Sequence, residues 1–342
     1  MTLPETMSAA IFAGEGQLAI VERPIPPISS PDDVLLKIEV CGICGTDLRF
    51  LSVPPVLTCK PGVILGHEYV GEVVAVGTGV KHLVPGDRVA VMPDLPCGHC
   101  RTCRAGYPNL CENIQSIGGD LDGGFAEYAV APAYGLIKIP ASIPADQAAF
   151  IELLSCVTGG VYKAAPMPGE NVLIIGAGPA GLTYMKVFKA AGVGQVIVAE
   201  VNPWRAAFAL EHGADRIINP REEDPGQAIR RCTQDGAEIV VDAVGSALDL
   251  AIACAGRAGR IIVFGEDAKA RCTVRPFDIQ HRQLRILGSY IGLDQYPRAI
   301  QMLESGAVQL TDLITHRLSL GQLAEGIKEL AAGRGAKGIC VL

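Results

Sequence analysis

Over the first half of the chain, apolar and polar residues alternate in short runs. Leu36, Ile38 and Val40 alternate with Lys37 and Glu39, the period of a strand with one buried face. Further strand-like runs fall at 69–76, 87–91 and 125–130, separated by turn residues such as Pro61-Gly62 and Pro85-Gly86-Asp87. The segment up to residue 152 therefore reads as a β-rich domain. The texture changes near Ala148. Continuous apolar runs at 172–175, 196–199, 217–218, 239–241, 261–264 and 284–289 then alternate with helical stretches, clearest at 180–191 and 203–212. Uninterrupted apolar strands alternating with helices predict a parallel sheet covered on both faces. Helices follow around 296–303 and 321–331, and a last apolar strand at 339–342. The predicted fold class is α/β: a doubly wound parallel sheet beside a β-rich domain.

Composition narrows the setting. A length of 342 residues suffices for two domains with sizeable cores. With aromatics at only 5%, those cores must be mostly aliphatic. A net charge of -7 argues against nucleic acid or an anionic membrane as the main partner. No apolar stretch approaches the roughly 20 residues needed to span a bilayer. Residues 1–10 lack the basic start and apolar run of a signal peptide. Twelve cysteines without an export signal suggest a reducing compartment, with cytoplasm the default.

The cysteine spacing carries chemistry. Cys97, Cys100, Cys103 and Cys111 follow the pattern C-x2-C-x2-C-x7-C. Four thiolates so close together can enclose one Zn2+ as a tetrahedron with no open position, a staple rather than a catalyst. Cys44 and the pair His67-Glu68 offer a second, open site, since a thiolate and an imidazole on separate turns are normal zinc ligands. Asp47 fits better as an acceptor that orients His67 than as a ligand.

A nucleotide site is also legible. Gly176-Ala177-Gly178-Pro179-Ala180-Gly181 follows the strand at 172–175 and opens a helix, the context that a G-x-G-x-x-G run requires. Gly176 makes the turn, Gly178 lets backbone amides approach a pyrophosphate, and Gly181 allows close packing of helix on sheet. The helix N-terminus, at Pro179 and Ala180, faces the phosphates. Glu200 ends the next strand, where a carboxylate binds ribose hydroxyls and repels a 2'-phosphate, favouring NAD over NADP. Arg205 either weakens that preference or packs on the adenine.

These motifs together resemble the medium-chain zinc-dependent dehydrogenase family. The resemblance covers nearly the whole chain. It includes Gly66-His67-Glu68-Tyr69-Val70-Gly71, Pro85-Gly86-Asp87-Arg88-Val89, the cysteine quartet, Gly123-Gly124-Phe125-Ala126-Glu127-Tyr128 and the nucleotide fingerprint. It implies a GroES-like catalytic domain at 1–152 with both zinc sites, a Rossmann NAD-binding domain at 153–290, and a return to the catalytic domain at 291–342. The active site would lie between the two domains. The chain is most similar to the polyol, sorbitol dehydrogenase-like branch. There a glutamate matching Glu152 is the third catalytic-zinc ligand, directly or through water; Cys156 competes for that role.

The resemblance implies two Zn2+ per chain, NAD, and oxidation of a secondary alcohol of a polyol or sugar-derived substrate to a ketone. Catalytic roles fall to Thr46, which accepts the alcohol proton, to Asp47, and to Glu68, which moves on and off the metal during exchange. A homotetramer or dimer is implied as well. Two departures blur the substrate. Arg49 stands where relatives often place a proton-relaying histidine, and a guanidinium does not titrate near neutrality. Tyr290 lies in a segment where polyol relatives often carry a substrate-binding arginine. An amino-alcohol activity like that of threonine dehydrogenase is the enzymatic rival, and a catalytically retired NAD-binding protein the rival of another class.

Overall fold

A computed structural model describes residues 3–342, which divide into two compact units. The first runs up to Glu152 and takes in Ala299–Glu304 and Ile314–Leu342; the second holds Leu153–Arg298 and Ser305–Leu313. The chain thus passes back to the first unit at Ala299 and again at Ile314, not at 291. Residues 291–298 stay with the second unit for a packing reason. A Cβ at Gly292 would meet the Ser155 carbonyl at 2.3 Å, and the Arg298 guanidinium lies 4.3 Å from the Tyr162 ring centroid.

In the first unit, Asp33–Gly42 is the central strand of a seven-stranded sheet. It pairs antiparallel with Glu68–Val76, with Tyr128–Pro132 and with Lys337–Val341. Leu36, Ile38 and Val40 are all at most 2% exposed, while Lys37 is exposed and Glu39 half-buried, the one-sided burial that the alternation implied. The expected strand at 125–130 is found at Tyr128–Pro132. Phe125 is buried but lies outside that strand: its amide donates to the Leu65 carbonyl and its carbonyl accepts from the Ala10 amide. A hairpin of Thr6–Gly14 and Gln17–Pro24, not anticipated from the pattern, forms a separate two-stranded sheet.

The second unit has a six-stranded, all-parallel sheet. Its order is Arg216–Ile218, Gln195–Ala199, Asn171–Ile175, Ala237–Asp242, Ala255–Val263, Arg285–Gly288. The order reverses beside Asn171–Ile175, and doubly wound sheets bind ligands at the carboxyl end of such a switch point. Val172, Leu173 and Ile174 are fully buried, because helices such as Pro179–Ala190 cover the sheet. No helix among the described residues is long and apolar enough to cross a membrane.

Candidate functional site

The metal-ligand candidates of the first unit follow from the end of its central strand. Cys44 is the N-cap of the short helix Gly45–Phe50, its backbone extended (φ -97°, ψ 157°). Asp47, three residues on, accepts the Cys44 amide at 2.9 Å and the Gly66 amide at 3.3 Å. One fully buried carboxylate therefore ties together the turns that carry Cys44 and His67. Its Oδ1 lies 3.7 Å from His67 Nδ1, an ion-pair distance rather than a hydrogen bond. Burial pushes the Asp47 carboxyl up, and His67 and the two amides only partly offset it. For His67 burial acts against the charged ring, but the thiolate of Cys44 and the carboxylate of Asp47 outweigh it and raise the imidazole well above its usual range.

Ligand atoms of Cys44, His67 and Glu68 lie within 4.8 Å of one another. Glu68 is buried, and its two oxygens differ. Oε2 takes a hydrogen bond from Lys337 Nζ, whereas Oε1 is buried with no hydrogen-bond partner. A buried carboxylate oxygen without a donor is costly. A cation held by Cys44 and His67 would supply the missing counter-charge, and thiolate, imidazole and carboxylate are donors that Zn2+ accepts. The residues present therefore fit a zinc ion. Glu152, in the first turn of the helix Ile151–Ala164, is not one of the three clustered ligands, and neither is Cys156. The charge of Glu152 nevertheless reaches the site, raising the pKa of both His67 and Lys337. Thr46 and Arg49 ride on the same short helix that Cys44 caps, both half-buried.

Two residues of this site escape sequence reading. Lys337 is 1% exposed and also donates to the Ile43 carbonyl at 3.1 Å. Burial opposes its charge, but Glu68, Cys44 and Glu152 outweigh burial and raise its pKa, so it remains a cation. Gly42, the register partner of Glu68, leaves the space that the carboxylate occupies. Lys337 reads as one more surface lysine in a glycine-rich stretch; only its place at the start of an otherwise apolar strand hinted otherwise.

The four-cysteine cluster forms as its spacing predicts. The sulfurs of Cys97, Cys100, Cys103 and Cys111 lie within 4.8 Å of one another. Backbone amides point at them: Cys97 N donates to Cys111 Sγ at 3.2 Å and Asn113 N to the same sulfur at 3.3 Å. Cys100 is held down to about 5, first by the Thr102 hydroxyl at 3.2 Å and then by backbone amides. Such amide-lined sulfurs suit thiolates and hence a soft divalent cation. All twelve cysteines are unbridged.

In the second unit, Gly176 turns at φ +97° and its amide donates to the Ala199 carbonyl at 2.9 Å. Gly178 caps the helix Pro179–Ala190 and faces open space, while a Cβ at Gly181 would stand 1.9 Å from the Gly176 carbonyl oxygen. Glu200 directly follows the strand Gln195–Ala199 and is 8% exposed. Its carboxylate accepts from the amides of Ala177 at 2.7 Å, Val201 at 2.8 Å and Asn202 at 2.7 Å. It thus braces the glycine-rich turn itself, with acceptor capacity left on Oε2, which takes only the Ala177 amide. Asn202 caps the next helix, Pro203–Glu211, which carries Trp204 and Arg205. Tyr290 also belongs to this unit and is 48% exposed.

Comparison with known proteins bears on both units. A family model described as alcohol dehydrogenase GroES-like domain matches residues 30–141, and one described as zinc-binding dehydrogenase matches residues 179–305. The chain is 34% identical to the sorbitol dehydrogenase of Bacillus subtilis (strain 168), over 96% of this chain and 94% of that protein. A zinc-binding dehydrogenase from Sinorhizobium meliloti 1021, bound to NADP, superposes with a TM-score of 0.92 at 32% identity, covering 99% of this chain and 100% of that one. An alcohol dehydrogenase from Escherichia coli CFT073, complexed with NADH, gives 0.91 at 32% identity and the same coverage.

Proposed function

The chain belongs to the medium-chain zinc-dependent alcohol and polyol dehydrogenase family, and from that premise we propose that it oxidises a secondary alcohol of a polyol or sugar-derived substrate to a ketone, with NAD as hydride acceptor. The observation that carries the reading is the convergence of Cys44, His67 and Glu68, with one oxygen of Glu68 left without a donor. When bound, zinc supplies Lewis acidity toward a substrate oxygen and NAD supplies the hydride chemistry.

The chain's own residues divide the remaining work. Cys44, His67 and Glu68 would hold the catalytic metal, with Glu152 joining directly or through water, and Asp47 orients His67. The Thr46 hydroxyl receives the alcohol proton. Arg49 keeps its charge at neutrality and cannot relay that proton, so water or a ribose hydroxyl carries it onward. The same charge suits a substrate with an anionic substituent. Glu200 accepts from the ribose and repels a 2'-phosphate, favouring NAD, while Arg205 works in the opposite direction. The amides after Gly176 and the helix N-terminus at Pro179 and Ala180 receive the pyrophosphate. The cysteine quartet holds a second zinc with no open position. The working unit is a homotetramer or dimer in the cytoplasm.

Zinc content and NADH formation on a panel of polyols, phosphorylated polyols and amino alcohols test the reading. We expect turnover of a polyol, with a ketone as product. Turnover of amino alcohols alone would replace it with a threonine dehydrogenase-like activity. Zinc and NAD binding without turnover of any alcohol would indicate a retired enzyme.

A further inference from the structure

We propose that Ile291 is a specificity-determining residue of the nucleotide site, its side chain forming an apolar seat for the nicotinamide half of the dinucleotide. The inference deepens the NAD reading above and rests on it. It starts from a backbone outlier. Six non-glycine residues among those described have positive φ. Five have local reasons. Glu15 turns the hairpin between Gly14 and Gln17, Ala165, Gln234 and Gln283 each follow the end of a helix, and Ala258 lies where its strand slips register. Ile291, at φ +53°, is the one β-branched residue of the six, and it ends no helix. A β-branched residue is strained in that region.

The flanking contacts hold that strain in place. Ser289 is 7% exposed, and its amide donates to the Val263 carbonyl at 3.0 Å. Gly292 lies against the helix Ile151–Ala164, where a Cβ would stand 2.5 Å from the Cys156 amide nitrogen, and its carbonyl accepts the Gln295 amide at 2.9 Å. Only Tyr290 and Ile291 span the two anchors. Glycine would take the left-handed conformation without strain. Isoleucine stands there with its side chain only half-buried, so core packing does not account for it. Strain of this kind persists at ligand clamps. Location names the ligand. The strands are parallel, so Ile291, three residues past Gly288, stands at the same carboxyl edge as the glycine-rich turn. A dinucleotide lies across the switch point with one half on each side. Glu200 follows the strand Gln195–Ala199 on one side, and Ile291 follows Arg285–Gly288 on the other. With the adenosine ribose at Glu200, the nicotinamide half falls on the side of Ile291. The reduced ring is uncharged, so an aliphatic surface suits it.

The test titrates the full-length enzyme calorimetrically with NADH and with ADP-ribose, which lacks the nicotinamide ring. In Ile291→Gly we expect NADH affinity to fall about tenfold, the scale of losing much of one aliphatic contact, and ADP-ribose affinity to hold. Thermal stability should stay level or rise, since glycine removes the strain. Loosened packing would instead lower stability and both affinities together. Ile291→Val should keep NADH affinity within about fourfold, the worth of one methylene. Undiminished NADH affinity in Ile291→Gly, or an equal loss for both ligands, would overturn the proposal. Should that variant fail to fold, Ile291→Asn decides by the same two titrations, because asparagine tolerates the left-handed conformation and lacks the apolar side chain. Failure of the parent chain to bind either ligand would instead overturn the NAD reading.

Discussion

A Cβ atom placed on Gly42 would stand 2.1 Å from Oε2 of Glu68, its partner across the antiparallel ladder. The Ala149 carbonyl, 3.0 Å from the same point, closes the other direction. The carboxylate cannot simply swing away, because Lys337 holds it. Gly42→Ala should therefore destabilise the chain by about 1–3 kcal/mol, the usual cost of overpacking, and weaken metal retention. Urea unfolding and metal content check this. Unchanged stability would mean that Glu68 does not lie over Gly42.

Removing His67 should separate chemistry from cofactor binding. His67→Ala should abolish turnover while leaving NAD affinity intact, since the glycine-rich turn belongs to the other unit. Trp204, the only tryptophan, sits in the first turn of the helix that follows Glu200 and offers a fluorescence readout of nucleotide binding. Full zinc content and activity in His67→Ala would refute the metal assignment.

Glu200 braces three backbone amides, so its substitution should do more than remove the ribose contact proposed for it. Hydrogen bonds to a charged group contribute about 1.5–3 kcal/mol each. Glu200→Ala should cut NAD affinity by more than about tenfold and narrow the gap to NADP without making NADP a good cofactor, since the turn is loosened for both. Titration of Trp204 fluorescence with each nucleotide tests this. A clean exchange of preference at undiminished affinity would contradict the bracing role.

Cys100→Ser removes the thiol that its surroundings most favour as a thiolate. We expect the quartet to lose its metal and the first unit to melt earlier, while the Cys44–His67 site keeps its own metal. Metal stoichiometry and calorimetry report both. Loss of both metals together would mean that the two clusters are coupled.

Asp87 links pH to stability. Its carboxylate accepts from the Val84 amide at 2.8 Å and from Lys138 at 2.7 Å, and Lys138 first, then that amide, holds its pKa below the ordinary 3.8. A depressed carboxylate stabilises the fold above its unfolded pKa and loses that contribution as pH falls through the folded one. Asp87→Asn should therefore cost stability at neutral pH, and the difference from the parent should shrink as pH falls below about 3.8. A difference that stays constant through the acid limb would rule this out.

Much of this architecture was legible because its signals are local. The cysteine quartet closes within fifteen residues, and the glycine-rich turn joins a strand to the helix beside it. Alternation placed the strand around Leu36–Val40, and continuous apolar runs announced the parallel sheet. Legibility ended where partners are chosen by tertiary contact. Phe125 was expected in a strand but lies outside it, bonded to the backbone of Leu65 and Ala10. Glu200 was expected on a ribose, and the structure shows its carboxylate bracing the turn before it.

By itself, then, the sequence determined the two kinds of sheet, the four-cysteine cluster, the nucleotide turn and the residue types of an open metal site. Each rests on a repeat, a spacing or a turn whose physics acts over a few neighbouring residues. The tertiary structure alone decided which oxygen of Glu68 is held and which is left without a donor. That choice depends on Lys337, 269 residues away along the chain, and on the missing side chain of Gly42. Strand pairing brings both to Glu68, and burial makes a single ammonium decisive, because a buried carboxylate is shielded from bulk solvent.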